Sequence, residues 1–165
     1  MSRADENKAL IARFYAAFAA RDGSSMAATY GADARFEDPL FGGLTGAEAG
    51  AMWRMLTSRP GSDLRIELPE HEANDASGTA HWIARYTFAR TGKHVVNDIH
   101  AQFRFENGLV IEHVDRFSFW RWSRQAFGLV GLLAGWTPVL RTAVRRKAKA
   151  DLASFMAGGP GARPA

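Results

Sequence analysis

Residues 99–120 read "IHAQFRFENGLVIEHVDRFSFW". Ile99, Ala101, Phe103 and Phe105 alternate with His100, Gln102 and Arg104, the period of two that marks a strand with one buried face. Asn107-Gly108 follows, a pair that accepts the positive φ angles of a tight hairpin turn. Beyond it a second strand runs from Leu109 to about Phe119, with Leu109, Ile111 and Phe117 on the same face as His113 and Asp115. The stretch therefore specifies an antiparallel hairpin that places a histidine and an aspartate where the pattern asks for apolar side chains.

The same alternation extends backwards as far as Pro60-Gly61. Leu64, Ile66 and Leu68 oppose Asp63, Arg65 and Glu67, and Trp82, Ala84, Tyr86 and Phe88 oppose His81, Ile83, Arg85 and Thr87, up to Thr91-Gly92. Before Pro60 the period is helical. Leu10, Ile11, Phe14, Tyr15, Ala17 and Phe18 recur at helical spacing from Asp5 to about Ala20, and Gly23 follows as a stop. A short helix fits Ser24 to Tyr30. A third begins at Thr45, where Thr45 and Glu48 make a capping box, and ends before Pro60. Between these two lies "ARFEDPLFGG" (34–43), a short strand in which Asp38 shares a face with Ala34 and Phe36. Three helices followed by four long strands on short turns describe an α+β fold, with helices covering one face of a curved, largely antiparallel sheet.

The order then changes. Residues 120–157 read as a helical extension of two helices, the first ending near Gly135 and the second opened by Thr137-Pro138. Leu140, Val144, Ala148, Leu152 and Phe155 form a stripe on the second helix, opposite Arg141, Arg145, Arg146, Lys147 and Lys149. That stripe packs on the domain, forms a lid or partner surface, or touches a membrane face. The end, "GGPGARPA" (158–165), has the composition of a disordered tail. The chain thus divides into an α+β domain over 1–119, the extension over 120–157 and the tail.

At 165 residues the chain suits one domain large enough to bury a core or enclose a small cavity. It has no cysteine, which excludes disulfides and thiolate metal sites. The N-terminus lacks the roughly 7 to 15 apolar residues of a signal peptide core, and no run reaches the roughly 20 of a membrane span. A cytoplasmic protein without stable membrane insertion is the expectation. Residues 1–115 carry 12 Lys and Arg against 16 Asp and Glu, whereas 116–165 carry 9 against 1. A basic end of this kind is usually the solvated face of a helix, although it also suits an anionic contact.

A buried polar side chain costs free energy unless it is satisfied, so the polar residues on apolar faces are the candidates for function. If each apolar face points inward, Asp38, Asn97, His113, Asp115 and Tyr86 line one interior with Trp82, Phe88, Phe103 and Trp53. That is the make-up of a small-ligand site, an apolar pocket with a few polar groups. A carboxylate there loses hydration, and its pKa rises toward neutral pH, where it can exchange protons. Each residue also has a bland reading. Asp38 precedes a proline and a Gly-Gly pair and could simply open a turn. His113 could be a satisfied core histidine, and Asp115 the partner of an arginine in the extension.

Other chemistry lacks its signature. His71, His81, His94, His100 and His113 show no ligand pair at helical spacing, which argues against a metal. "GLTGAEAG" lacks the Lys-Ser/Thr ending of a phosphate loop, and no G-x-S-x-G elbow exists.

Residues 9 to 43 together with the late hairpin, "IHAQFRFENGLVIEHVDRFSFW", resemble the superfamily of nuclear transport factor 2, ketosteroid isomerase and the SnoaL-like polyketide cyclases, over about residues 5 to 120. The resemblance implies a cone-shaped α+β barrel with an apolar pocket for a small molecule, commonly a homodimer through the outer sheet face, and no cofactor. It places Asp38 where the steroid isomerases keep a proton-transferring base. The two donors of their oxyanion hole fall at Phe14, with Tyr15 adjacent, and at Ala101. "EHVD" (112–115) resembles the E-H-W-D of SnoaL-like proteins, whose aspartate acts in an aldol ring closure, with Val114 in place of the tryptophan. The expectation is an acid/base enzyme on a carbonyl-type substrate, with Asp38 or Asp115 as base, His113 its partner and Tyr86 or Asn97 an oxygen contact. The alternatives are a non-catalytic binding module, or a basic C-terminal helix docked on nucleic acid or a membrane; nucleic acid is not expected as a partner.

Overall fold

A computed structural model describes residues 1–158; all but the first residue of the expected disordered tail lies outside that range. The first helix, α1 (Arg3–Ala19), is set by a capping box between Ser2 and Asp5, and its inward stripe is Leu10, Ile11, Phe14, Tyr15 and Phe18. Helix α2 (Gly23–Ala27) is shorter than its sequence suggests. The Thr29 hydroxyl donates to the Met26 carbonyl at 2.7 Å and closes the turn, so Tyr30 opens strand β1 (Tyr30–Asp38) instead of ending a helix.

A turn at Pro39-Leu40-Phe41 leads to β2 (Gly42–Thr45), a strand the alternation did not reveal because it is only four residues long. Gly42, at φ 71°, occupies the left-handed region that this turn requires. Helix α3 (Gly46–Thr57) starts at the Thr45/Glu48 capping box that the sequence indicated. Strands β3 (Arg65–Ala73), β4 (Ser77–Phe88), β5 (Lys93–Glu106) and β6 (Leu109–Arg116) follow. Asn107 and Gly108 both have positive φ, at 52° and 76°, as their hairpin demands.

The six strands form one sheet in the order β2-β1-β6-β5-β4-β3. Every neighbouring pair is antiparallel except β1 with β6. This is a curved, largely antiparallel sheet packed against helices, the α+β architecture expected, and its edge strands do not pair with each other.

One irregularity in β6 alters the inward set. Arg104 lies opposite Glu112 and Phe105 opposite Val110, so Ile111 is an extra residue, a β-bulge. Strict alternation had put Leu109 inside. The bulge instead buries Val110 and leaves Leu109 38% exposed, while His113 and Asp115, beyond it, face inward.

The extension holds three helices, not two: α4 (Phe119–Phe127), α5 (Leu129–Ala134) and α6 (Pro138–Met156). Gly128, at φ 61°, breaks the run between α4 and α5. On α6, Leu152 is buried in the main core beside Ala148 and Phe155. Leu140 and Val144 join a second cluster built on Val95, Phe119, Trp122 and Ala126. Arg145 Nε donates to the Pro39 carbonyl at 3.3 Å and Lys149 Nζ to that of Gly43 at 3.2 Å. Helix α6 thus lies across the β1–β2 turn, with its apolar stripe on the domain. Among the described residues no helix is long and apolar enough to cross a membrane.

Candidate functional site

His113 sits between Phe36 of β1 and Phe103 of β5 in the sheet register and is completely buried. Its ring is enclosed by Phe103 at 4.2 Å, Phe36 at 5.1 Å and Phe14 at 5.6 Å between centroids. Both of its nitrogens are bonded, Nδ1 to the Tyr30 hydroxyl at 2.7 Å and Nε2 to Asp115 Oδ1 at 3.0 Å.

An indole N–H only donates, so the Tyr30 oxygen accepts from Trp53 Nε1 at 2.9 Å. With His113 as its Nε2–H tautomer, the Tyr30 hydroxyl donates to Nδ1 and His113 Nε2 donates to Asp115. Trp82 Nε1 donates to the same Asp115 oxygen at 3.2 Å. Asp115 is 4% exposed; its Oδ1 carries both of these contacts, and Oδ2 lies outside this chain of hydrogen bonds. Asp115, Ala101 and Ala80 lie side by side across three strands, and these small residues leave room for the Trp82 indole to reach over. Asp115 is partnered by His113 and Trp82, not by an arginine of the extension.

Tyr15 adds an orphan. Its ring is 5.5 Å from that of Trp82, and its hydroxyl is buried with no hydrogen-bond partner. Burial pushes the phenol well above its usual range, and the charge of Asp115 adds to this, with Tyr30 behind it. The group stays a proton donor, without an acceptor, in the field of a carboxylate.

Asp38 is partly buried at the end of β1 and has both roles its sequence context offered. It opens the turn, accepting from the Leu40 backbone N–H at 2.9 Å and from that of Phe41. Burial also pushes its carboxyl from 3.8 up to about 7; the Phe41 N–H opposes this, Asp115 adds to it, and the Leu40 and Gly42 N–H groups oppose it. Tyr86 is close enough to feel Asp38, although burial is the main cause of its raised phenol pKa. Its oxygen accepts from Trp122 Nε1 at 2.8 Å.

The sequence-derived residues therefore divide into two groups. Asp115, His113, Trp82, Trp53, Ala101 and Phe103 form the inner one. Asp38, Tyr86 and Phe88 lie toward the helical extension, where Phe88 packs on Trp122 and Phe127 with centroids 5.6 and 5.4 Å apart. Asn97, 8% exposed, stands on β5 between Val95 of the second cluster and Ile99 of the first. Sequence alone missed Tyr30, read as the end of a helix, and Tyr15, an ordinary member of a helical stripe. Only contacts over long sequence distances single them out.

Spacing along the chain argues against a metal, but it does not show which histidines the sheet brings together. Across strands, register sets His81 beside His100, and with Asp98 their ligand atoms lie within 4.8 Å of one another. The group is on the outer face of the sheet, away from Asp115, and His81 Nε2 is bonded to Asp98 at 2.8 Å.

A sequence profile described as the SnoaL-like domain matches residues 11–113. Among proteins of curated function none matches. Solved structures share the fold at low identity. An LEH-like epoxide hydrolase from M. tuberculosis is 17% identical with a TM-score of 0.65, covering 80% of this chain and 98% of its own. A hypothetical protein from Catenulispora acidiphila with a ketosteroid isomerase-like fold, in complex with trimethylamine, is 16% identical with a TM-score of 0.63, over 78% and 97%. An NTF2-like protein of unknown function from Burkholderia pseudomallei is 20% identical with a TM-score of 0.63, over 78% and 100%.

Proposed function

The chain belongs to the SnoaL-like domain family, and from that premise we propose that it is a cofactor-independent acid/base enzyme acting on a small apolar carbonyl compound. The observation that carries this reading is the pairing of Asp115, a buried carboxylate with Oδ2 uncommitted to its two donors, with Tyr15, a buried hydroxyl without a partner. A base and a hydrogen-bond donor between aromatic walls are what α-proton abstraction needs. Asp115 takes the α-proton, and the electron pair moves into the carbonyl, whose oxygen becomes the enolate oxygen and accepts from Tyr15. The proton returns at another carbon in an isomerisation, or the carbanion attacks a second carbonyl in a ring closure.

His113 positions Asp115 and is itself oriented by Tyr30 and Trp53. Asp38, with its carboxyl near neutrality, is the group suited to exchange a proton with substrate at the extension end, on the side of Tyr86, with Asn97 of β5 as the further oxygen contact proposed. By the resemblance, the two donor positions of steroid isomerases fall at Phe14 and Ala101, and in this reading the adjacent Tyr15 takes the donor role. A homodimer through the outer sheet face belongs to the same reading, and sedimentation velocity measures it.

The test is α-proton exchange of a small cyclic ketone in deuterated water, followed by NMR. Asp115→Asn should slow it at least ~10²-fold, and Tyr15→Phe by about 10². Exchange unchanged in both variants would sink the proposal. One observation favours a non-catalytic domain whose interior serves only as a core: Phe14, Tyr15 and Phe36, each 2% exposed, pack tightly into it. Such a domain would show no exchange above background in the parent or in either variant.

A further inference from the structure

We infer that helix α5 and its flanks form a docking surface for an anionic lipid bilayer. Six large apolar side chains are exposed within eleven residues: Leu129 75%, Val130 61%, Leu132 42%, Leu133 71%, Trp136 73% and Val139 78%. The helix is turned inside out relative to an ordinary surface helix. Its inward side is glycine. A Cβ on Gly131 would collide with the Ser123 carbonyl, and one on Gly135 with the Ser123 hydroxyl and the Gly131 carbonyl; Ser123 Oγ donates to the Gly131 carbonyl at 3.3 Å. The close approach of α5 to α4 thus fixes the leucines outward, and no small rotation would bury them.

Charge selects the occupant. From Arg116 to Ala150 there is no Asp or Glu, and the stretch carries eight Lys and Arg. Arg121 and Arg124 of α4 and Arg141 and Arg146 of α6 are exposed on either side of the patch in sequence, and Arg146 shares a shallow apolar groove on α6 with Pro138, Val139, Thr142 and Ala143. An isologous contact between two copies would set these cations against their own kind. A bilayer surface instead takes protruding leucines and a tryptophan at the headgroup level without demanding a complementary shape, and its anionic lipids attract flanking cations. The surface would lie in the interface and span nothing.

The test is flotation of the full-length chain with vesicles of phosphatidylcholine alone and of phosphatidylcholine mixed with phosphatidylglycerol, at low and high salt. Binding is expected to the mixed vesicles at low salt, falling as salt rises. The double variant Leu133→Asp with Trp136→Asp should abolish it, and Arg121→Gln with Arg146→Gln should weaken it roughly tenfold or more. Both variants are at exposed positions, and unchanged circular dichroism would show that they fold. The inference is overturned if the mixed vesicles do not bind, if the aspartate variant binds as the parent does, or if the parent is a dimer that the aspartate variant converts to monomer. The last result would make a second copy the occupant.

Discussion

Asp38 concentrates two opposing effects in one side chain, because the burial that raises its carboxyl to about 7 also leaves it bonded to the N–H groups that define its turn. In the unfolded chain the group returns to about 3.8. Between those values the folded state binds the proton and the unfolded state does not. Protonation of Asp38 therefore contributes stability that is complete below pH 3.8 and lost as pH rises through about 7. Asp38→Asn keeps an acceptor for the turn and removes the titration, so thermal midpoints from pH 4 to 8 should fall more steeply for the parent than for the variant. Parallel curves would show that the carboxyl titrates as if exposed. Tyr30→Phe is a sharper probe of the inner chain, since it removes the acceptor of Trp53 and the donor to His113 together. A loss of about 1–3 kcal/mol per orphaned group is expected in urea unfolding, and a loss below about 0.5 kcal/mol would mean that water satisfies Trp53 and His113 once the hydroxyl is gone. How much of this was legible follows from distance along the chain. His113 and Asp115 were visible from parity within one strand. Tyr30 was not, because its reason for being there lies 83 residues away.

At the scale of elements, periodicity revealed whatever repeats within one segment and missed whatever depends on a neighbour. The Thr45/Glu48 box, the Asn107-Gly108 turn and the α6 stripe are local signals, and each appears in the structure where its residues pointed. The bulge at Ile111 exists only in the pairing of β6 with β5, and β2 exists because β1 offers it an edge. The close packing of α5 on α4 depends on Gly131 and Gly135 meeting Ser123, a contact no stripe discloses. It makes Gly131→Ala a discriminating substitution. On an isolated helix the change would favour folding by up to about 1 kcal/mol, but here the added methyl meets backbone, and overpacking of this kind costs about 1–3 kcal/mol. Unfolding midpoints decide the sign, and a more stable variant would show that α5 does not pack on α4 this closely.

Across the whole molecule the question is whether α6 is an appendage or part of the core. Two observations make it part. Leu152, 3% exposed, belongs to the same continuous core as Phe14, Phe36 and Phe103, and Leu140 and Val144 close the second cluster around Trp122, the residue that donates to Tyr86. The acidic body and basic extension are joined further by Arg145 and Lys149 on the carbonyls of Pro39 and Gly43, next to Asp38. Leu152→Ala alone should cost about 2–5 kcal/mol, a large share of the roughly 5–15 kcal/mol that a domain has in total. Deletion of residues 138–165 removes that leucine, four further members of the stripe and both links to the turn. The truncated chain should therefore bind a hydrophobic dye and lose its cooperative thermal transition, although every strand of the sheet is retained. A truncated chain that melts cooperatively at the parent's midpoint would show instead that residues 1–137 fold without α6 and that α6 only rests on them. In that event the burial of Asp38 would also have to come from the elements before α6, and its proton exchange near neutral pH would survive the deletion.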